Sequence, residues 1–318
     1  TITHNGYIKR TSLSTYRSQR RGGRGVQGAS SREEDFVEHL FVANTHSYIL
    51  FFTDKGKCYW VKVYDIPEGG RAAKGRAIVN LIGCEPDEKV SAFISVKEFH
   101  EDHFVVMATE KGIVKKTKLS AYSNPRKKGI YAVEIRDGDK LIVARVSTGD
   151  NDILLGTRNG KSIRFSEEQI RASGRKTMGV KGITLSSGDD RLVGMLLIKR
   201  EGTVLVATEK GFGKRTEISQ YRAQKRGGKG VLTMKTTEKV GKMVTIKEVV
   251  EKDDLMIITN QGVLIRLPVA QIRSIGRATQ GVKLIKLGEG TLVSSITRIM
   301  SEEEQDEDNN SEPSSDKE

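Results

Sequence analysis

Residues 203–217 read TVLVATEKGFGKRTE, and residues 104–118 read FVVMATEKGIVKKTK. In each, an apolar β-rich run (204–207, 104–108) leads into Thr-Glu-Lys-Gly, and a second β-rich run follows. A short loop ending in Gly between two such runs reads as a hairpin, with Gly at positive φ. Working outward, Thr-x-x-Gly recurs six times, at Thr3/Gly6, Thr53/Gly56, Thr109/Gly112, Thr157/Gly160, Thr208/Gly211 and Thr259/Gly262, with Gly-to-Gly spacings of 50, 56, 48, 51 and 51. Ten residues after each Gly stands Tyr16, Ile66, Tyr122, Ile170, Tyr221 or Ile272. Nineteen residues after it stands a second Gly (Gly25, Gly75, Gly179, Gly230, Gly281), which the third repeat reaches after 17, at Gly129. Three features held in register across six units define a repeat protein.

Each unit divides into four runs. The first comes before the anchor (48–52, 104–108, 153–156, 204–207, 255–258) and the second after it (58–63, 263–267). The third follows the second Gly (77–82, 130–135), and the fourth closes the unit (90–96, 141–146, 192–198). Four strands per roughly 50 residues, six times over, predict an all-β, six-bladed propeller-like disc. An open β-solenoid would need shorter coils, of about 20–30 residues. The expected repeats are 1–47, 48–102, 103–150, 151–201, 202–252 and 253–300, followed by a tail, 301–318. No strong amphipathic helix is visible; residues 166–170 fit a single turn.

Composition narrows the classes. The apolar fraction is 36%, and the longest apolar runs, such as 49–52, fall far short of the roughly 20 residues a membrane span needs. Residues 1–4 show no basic segment leading into an apolar one, so no signal peptide is expected, and the missing start Met points to a piece of a longer chain. Two cysteines, Cys58 and Cys84, cannot staple a fold; they fit buried strand positions in a reducing, cytoplasmic setting.

The net charge of +13 hides two parts. The tail holds nine acids and one base, leaving the body with 53 bases and 32 acids, a net of +21. Between the two Gly landmarks of each repeat the nets are +6, +2, +6, +3, +5 and +3, together +25, so everything outside these arms is slightly acidic. In a ring, equivalent positions trace a belt, and a belt of Lys and Arg is a track for a bent polyanion. A disc of about 25 Å radius has a rim of about 160 Å, on the order of 45 base pairs. The tail should be disordered. It reads either as a solubilising end or as a tethered competitor for the track.

The sharpest local motif is QRRGGRG at 19–25, with a near-copy, QKRGGKG, at 224–230. Gly-Gly allows close approach of backbone to phosphate, and Arg offers bidentate forks. QRRGGRG closely resembles the GyrA box that marks the C-terminal domains of bacterial DNA gyrase A subunits. The six repeats over residues 1–300 are similar to that family as well. The repeat 5 copy departs from the simplest pattern of one full box. Topoisomerase IV domains share the blades but typically have the first-blade box degraded, so the intact box favours gyrase.

The resemblance implies a β-pinwheel whose blades exchange strands, and a non-catalytic domain that wraps duplex DNA around its rim in a positive sense. It also implies an A2B2 holoenzyme using ATP and magnesium to introduce negative supercoils, a nucleoid-associated location, and no catalytic residue, cofactor or metal in this chain, which alone should be a monomer. The implied DNA-binding residues are Gln19, Arg20, Arg21, Gly22, Gly23, Arg24 and Gly25 in the first box, and Gln224, Lys225, Arg226, Gly227, Gly228, Lys229 and Gly230 in its copy. Lys115, Lys116, Arg126, Lys127, Lys128, Arg175, Lys176 and Arg277 on other arms complete the set.

Other signals are weaker. Residues 156–162 resemble a P-loop, but the first Gly is one residue too close and the segment reads as a hairpin. His100-Glu101-Asp102-His103 lacks a third metal partner at a usable spacing. Trp60 reads as a packing residue, and no Ser/His/Asp or Cys/His set emerges. A propeller scaffold binding protein or RNA is the competing class. It is disfavoured by the scarcity of aromatics in the arms and by the lack of WD or kelch signatures.

Overall fold

Every described Thr-x-x-Gly unit closes a hairpin. The computed structural model describes residues 1–3, 5–12, 37–39, 43–70, 73–85, 87–186, 188–261 and 264–299. Gly6, Gly56, Gly112, Gly160 and Gly211 take φ of 75°, 79°, 81°, 82° and 77°, the left-handed region that Gly enters at little cost. The Thr has two tasks. Its carbonyl accepts the Gly N–H, and its hydroxyl accepts the N–H of the residue after Gly, as from Lys57 to Thr53 Oγ1 at 3.2 Å and Ile113 to Thr109 Oγ1 at 3.2 Å. A register shift in the ladder to the innermost strand falls beside this Thr in each repeat, for example between Phe52 and Thr53 and between Ala207 and Thr208. The bulge turns that strand past the hairpin.

The hairpins build a ring of antiparallel blades. From hub to rim, blade 2 runs Val90–Val96, Tyr48–Thr53, Lys57–Lys62, Ile130–Tyr131. The rim strand belongs to repeat 3. Blade 3 likewise borrows Val180–Lys181 from repeat 4, blade 4 Val231–Leu232 from repeat 5, blade 5 Val282–Lys283 from repeat 6, and blade 1 Arg76–Ala77 from repeat 2. Blade 6 has three described strands, Leu264–Pro268, Asp254–Thr259 and Val293–Ile299. The innermost strands of blades 2 to 6 touch in turn, and Val293–Ile299 meets Val37–His39 of blade 1. The fold is the expected six-bladed, strand-exchanging disc.

The apolar core is divided among the joints. Each of five buried clusters draws on two consecutive repeats: Phe52, Met107 and Tyr122 share one, and Leu154, Val206 and Tyr221 another. Strands such as Phe104–Thr109 are buried on both faces, which explains their unbroken apolar sequence. In repeats 2 to 6 the residue ten positions after the first Gly closes a joint: Ile66, Tyr122, Ile170, Tyr221 and Ile272 are all buried.

Three expectations need correction. The third runs at 77–82 and 130–135 are strands only at Arg76–Ala77 and Ile130–Tyr131. Residues Ile78–Ile82 form one α-helical turn, ended by Gly83 at φ 62°. Cys84 lies just beyond that helix, half-buried and in no strand, whereas Cys58 is fully buried in one. The acidic tail and the first box lie outside the described residues.

Candidate nucleic-acid interface

The basic arms cross from one blade to the next. After its second strand each of repeats 2 to 6 makes a 3-10 turn (Val63–Asp65, Leu119–Tyr122, Glu167–Gln169, Ile218–Gln220, Val269–Gln271), then runs along the outer edge of the preceding blade to the exchanged strand. The second Gly makes that approach possible. A Cβ on Gly179 would sit 2.5 Å from Val114 O, and one on Gly230 would sit 2.4 Å from Ser162 O. Both take positive φ.

Donors four residues after the first Gly fasten the crossing. Trp60 Nε1 donates to Tyr122 O at 2.8 Å, Arg10 Nε to Ile66 O at 2.8 Å, Arg215 Nε to Ile272 O at 2.7 Å, and Arg164 NH1 to Tyr221 O at 3.2 Å. Each acceptor is the tenth-position residue of the following repeat. Trp60 therefore packs, as its sequence context suggests, and also locks a joint.

The candidate residues divide into three groups. Arg126, Lys127, Lys128, Lys176, Lys225 and Lys229 are exposed on the rim. Gln224, Arg226, Gly227, Gly228, Gly230, Arg175 and Arg277 are half-buried. Arg226 donates through Nε to Gln169 O and through NH1 to Lys181 O, and Arg277 NH1 donates to Leu232 O. These two guanidinium groups clamp neighbouring arms to each other.

Lys115 and Lys116 correct the sequence reading. They are 1% and 5% exposed and cannot reach a polyanion at the surface. Lys115 Nζ donates to Ala132 O at 2.6 Å, Arg175 O at 2.9 Å and Thr117 Oγ1 at 3.0 Å. Lys116 Nζ is paired with buried Glu167 at 2.7 Å. Lys9, Lys214 and Arg215 are buried in the same way, so part of the arm charge counted from sequence faces inward. The residues that sequence reasoning missed are Arg171, Arg222 and Arg273, all exposed. Each stands eleven residues after its repeat's first Gly, as does Arg17, a register signal visible in the sequence.

The internal lysines give the fold a pH dependence. Burial, with the Arg175 charge beside it, pushes Lys115 down to about 7. Burial and Arg277 push Lys214 down to about 8, and burial and Arg145 push Lys247 down to about 8. Between these values and the ordinary lysine value near 10.5, the unfolded chain holds protons that the folded chain has released, so stability rises with pH across that window. Below about 7, Lys115 is protonated in both states and its contribution is flat. The urea midpoint should therefore rise between about pH 7 and pH 9.5, and rise less in a Lys115→Met, Lys214→Met variant. A midpoint that falls over this range would contradict the assignment.

Residues 156–162 form a hairpin between Asp152–Thr157 and Lys161–Ser166, as their spacing suggests. His103 Nδ1 lies 2.8 Å from Asp102 in a turn. Among the described residues no group of three His, Cys, Asp or Glu side chains could hold a metal ion. Among them, too, no helix is long and apolar enough to cross a membrane.

The comparisons with known proteins agree with this geometry. The family model described as "DNA gyrase C-terminal domain, beta-propeller" matches residues 1–44, 47–97, 103–148, 151–199, 202–249 and 253–299. The DNA gyrase A subunit of Staphylococcus epidermidis is 48% identical over 307 residues, covering 96% of this chain and 34% of that protein. The DNA gyrase A subunit of Staphylococcus aureus is 48% identical over 317 residues, covering 99% and 35%. The chain thus spans about a third of the length of these relatives. A solved DNA gyrase A C-terminal domain superposes with a TM-score of 0.79 at 23% identity, covering 94% of this chain and 98% of the other. The C-terminal domain of a DNA topoisomerase IV superposes at 0.80 and 24% identity, covering 97% of each.

Proposed function

This chain belongs to the DNA gyrase C-terminal domain family, and from that premise we propose that it binds duplex DNA along its rim and wraps it in a positive sense. The wrapped segment would be presented for strand passage, so that an A2B2 gyrase introduces negative supercoils. The chemistry, with its ATP and magnesium, would lie in other parts of that assembly, in the cytoplasm and on the nucleoid.

The supporting observation is the recurrence of exposed cations on the rim arms of four consecutive repeats: Arg126 to Lys128, Arg171 with Lys176, Arg222 with Lys225 and Lys229, and Arg273. Among the described residues the arm of repeat 2 is poorer, since exposed Asp65 and Glu68 offset Lys74 and Arg76. A track that touches the duplex at several successive blades needs a duplex long enough to reach them. Affinity should therefore rise with length up to several tens of base pairs, near the 45 or so estimated for the rim, then level off. Gel shifts with duplexes of about 12, 25, 45 and 90 base pairs test this. Equal affinity for the shortest and for the 45-mer would remove the belt.

A further inference from the structure

The rim loops of the even repeats share a form that the odd repeats lack. Repeats 2, 4 and 6 carry Gly-Arg-x-[Thr/Ala]-x-Gly at the same register: Gly70 to Gly75, Gly174 to Gly179 and Gly276 to Gly281. Repeats 1 and 5 carry the Gly-Gly boxes there. The alternation is matched beneath the loops, three residues after the first Gly of the preceding repeat. Under the even loops this residue is Lys9, Lys115 or Lys214, each buried; under the repeat 3 and repeat 5 loops it is Tyr59 or Ile163. A Cβ on Gly228 would meet Ile163 Cδ1 at 3.4 Å, so the Gly-Gly box lies flat on an apolar side chain.

Each buried lysine amine gathers oxygens of the loop above it. Lys9 Nζ donates to Gly70 O at 3.0 Å and Ala73 O at 2.9 Å. Lys115 Nζ donates to Arg175 O, and Lys214 Nζ to Gly276 O at 2.6 Å, Arg277 O and Thr279 Oγ1. The Thr adds a second tether: Thr177 Oγ1 donates to Gly174 O and Thr279 Oγ1 to Gly276 O, both at 3.0 Å. Thr177 O and Thr279 O accept from Glu134 N and Lys235 N. With these oxygens engaged, the N–H groups of residues 174–178, 276–278 and 280 have no acceptor among the described residues, while that of Thr279 closes a turn on Gly276. Alternate residues of both stretches are exposed. A groove of about 480 Å³ lies against the repeat 4 loop, lined by Arg171, Ser173, Thr177 and Gly179 with Lys115 at its floor.

Free N–H groups on an exposed loop make an anion site of their own, beside whatever side-chain charge the arm carries. We propose that the repeat 4 and repeat 6 loops are main-chain phosphate clamps, each receiving one phosphate of the duplex backbone, and that Lys115 and Lys214 are positioning residues that set these loops from beneath. The proposal rests on the DNA-wrapping reading. It adds that, beside the side-chain charge on these arms, the repeat 4 and repeat 6 loops hold the duplex through backbone N–H.

The two modes differ in their salt dependence. A Lys or Arg on a phosphate releases counterions and adds about one unit to the slope of log affinity against log salt, whereas a neutral N–H does not. The test uses the 318-residue chain and a duplex of about 45 base pairs. Lys115→Met with Lys214→Met should weaken binding about tenfold and leave the slope unchanged. Lys225→Ala with Lys229→Ala should lower the slope by about two. Thr177→Val with Thr279→Val, which alters no charge and leaves the buried lysines in place, should follow the Met pair. In the wild-type chain the amides of 174–178, 276–278 and 280 should gain hydrogen-exchange protection with duplex and none with inorganic phosphate at the same phosphate concentration.

Unchanged affinity in the Met or Val pair, a slope lowered by about two in the Met pair, or no protection with duplex would each overturn the clamps. Protection by free phosphate would make the loops a general anion site and overturn the duplex assignment. A wild-type chain without duplex affinity would instead fail the wrapping reading itself, and the clamps with it. Should the Met pair not fold, the Val pair and the exchange measurement decide.

Discussion

Replacing Arg20, Arg21 and Arg24 with Ala should abolish supercoiling by a reconstituted gyrase while leaving ATP-independent relaxation intact. Bending duplex DNA tightly costs several kcal/mol, so a wrap needs strong contacts that fix where it starts. The first box concentrates three Arg within five residues around a Gly-Gly pair. Its near-copy shows what each position does: Lys225 and Lys229 are exposed, whereas the Arg226 side chain donates to Gln169 O and Lys181 O. In register, Arg20 and Arg24 match the exposed pair and Arg21 the clamp. Arg20→Ala with Arg24→Ala should therefore remove most of the effect, and Arg21→Ala should act by loosening the arm. The matching repeat 5 variant, Lys225, Arg226 and Lys229 to Ala, should weaken wrapping less. Plasmid supercoiling assays on both sets check this, and a more damaged repeat 5 variant would place the anchor in the wrong blade.

Gly160→Ala should destabilise the disc by about 3 kcal/mol or more, whereas Gly290→Ala should cost only about 1 kcal/mol. Both residues take positive φ, 82° and 71°, so both variants strain the backbone. They differ in what the new methyl group meets. At Gly160 it would fall 2.1 Å from Met234 O in the next repeat; at Gly290 nothing lies within 4 Å. The gap between the two thus isolates the contact that joins consecutive repeats. Thermal or urea unfolding of both variants measures it, and equal losses would show that the landmark Gly is kept for its conformation alone.

Much of this architecture was legible because the repeat is written in residues with a stringent steric reason. In repeats 2 to 5 the first and second Gly press on a neighbouring repeat, as Gly160 does on Met234 O and Gly179 on Val114 O, so neither can drift in register. The tenth-position Tyr or Ile marks a joint core in the same way. The short rim strands are not legible in the sequence: two residues such as Val180–Lys181 carry no periodicity, and their partner comes from another repeat. The turn at Ile78–Ile82 was misread because Ile-Val-Asn-Leu-Ile is as apolar as a strand of the same length.

The site was read less well than the fold, for one physical reason. A sequence counts charges but does not say which way they point. Lys127 and Lys115 score alike in a charge sum, yet one is exposed and the other ends on three oxygen acceptors inside the protein. The alternation of Lys9, Lys115 and Lys214 with Tyr59 and Ile163 was present in the register all along. Its meaning needed the carbonyls that the lysines gather.

The central claim is that this disc constrains duplex DNA in a wrap of one hand. The most direct measurement is topological: a nicked circular plasmid is ligated with increasing amounts of the 318-residue chain, deproteinised, and its topoisomers resolved on a gel. A progressive shift of the mean linking number to positive values is expected, absent from the Arg20, Arg21, Arg24 to Ala variant. An unshifted distribution at saturating protein, or a shift to negative values, would contradict the account.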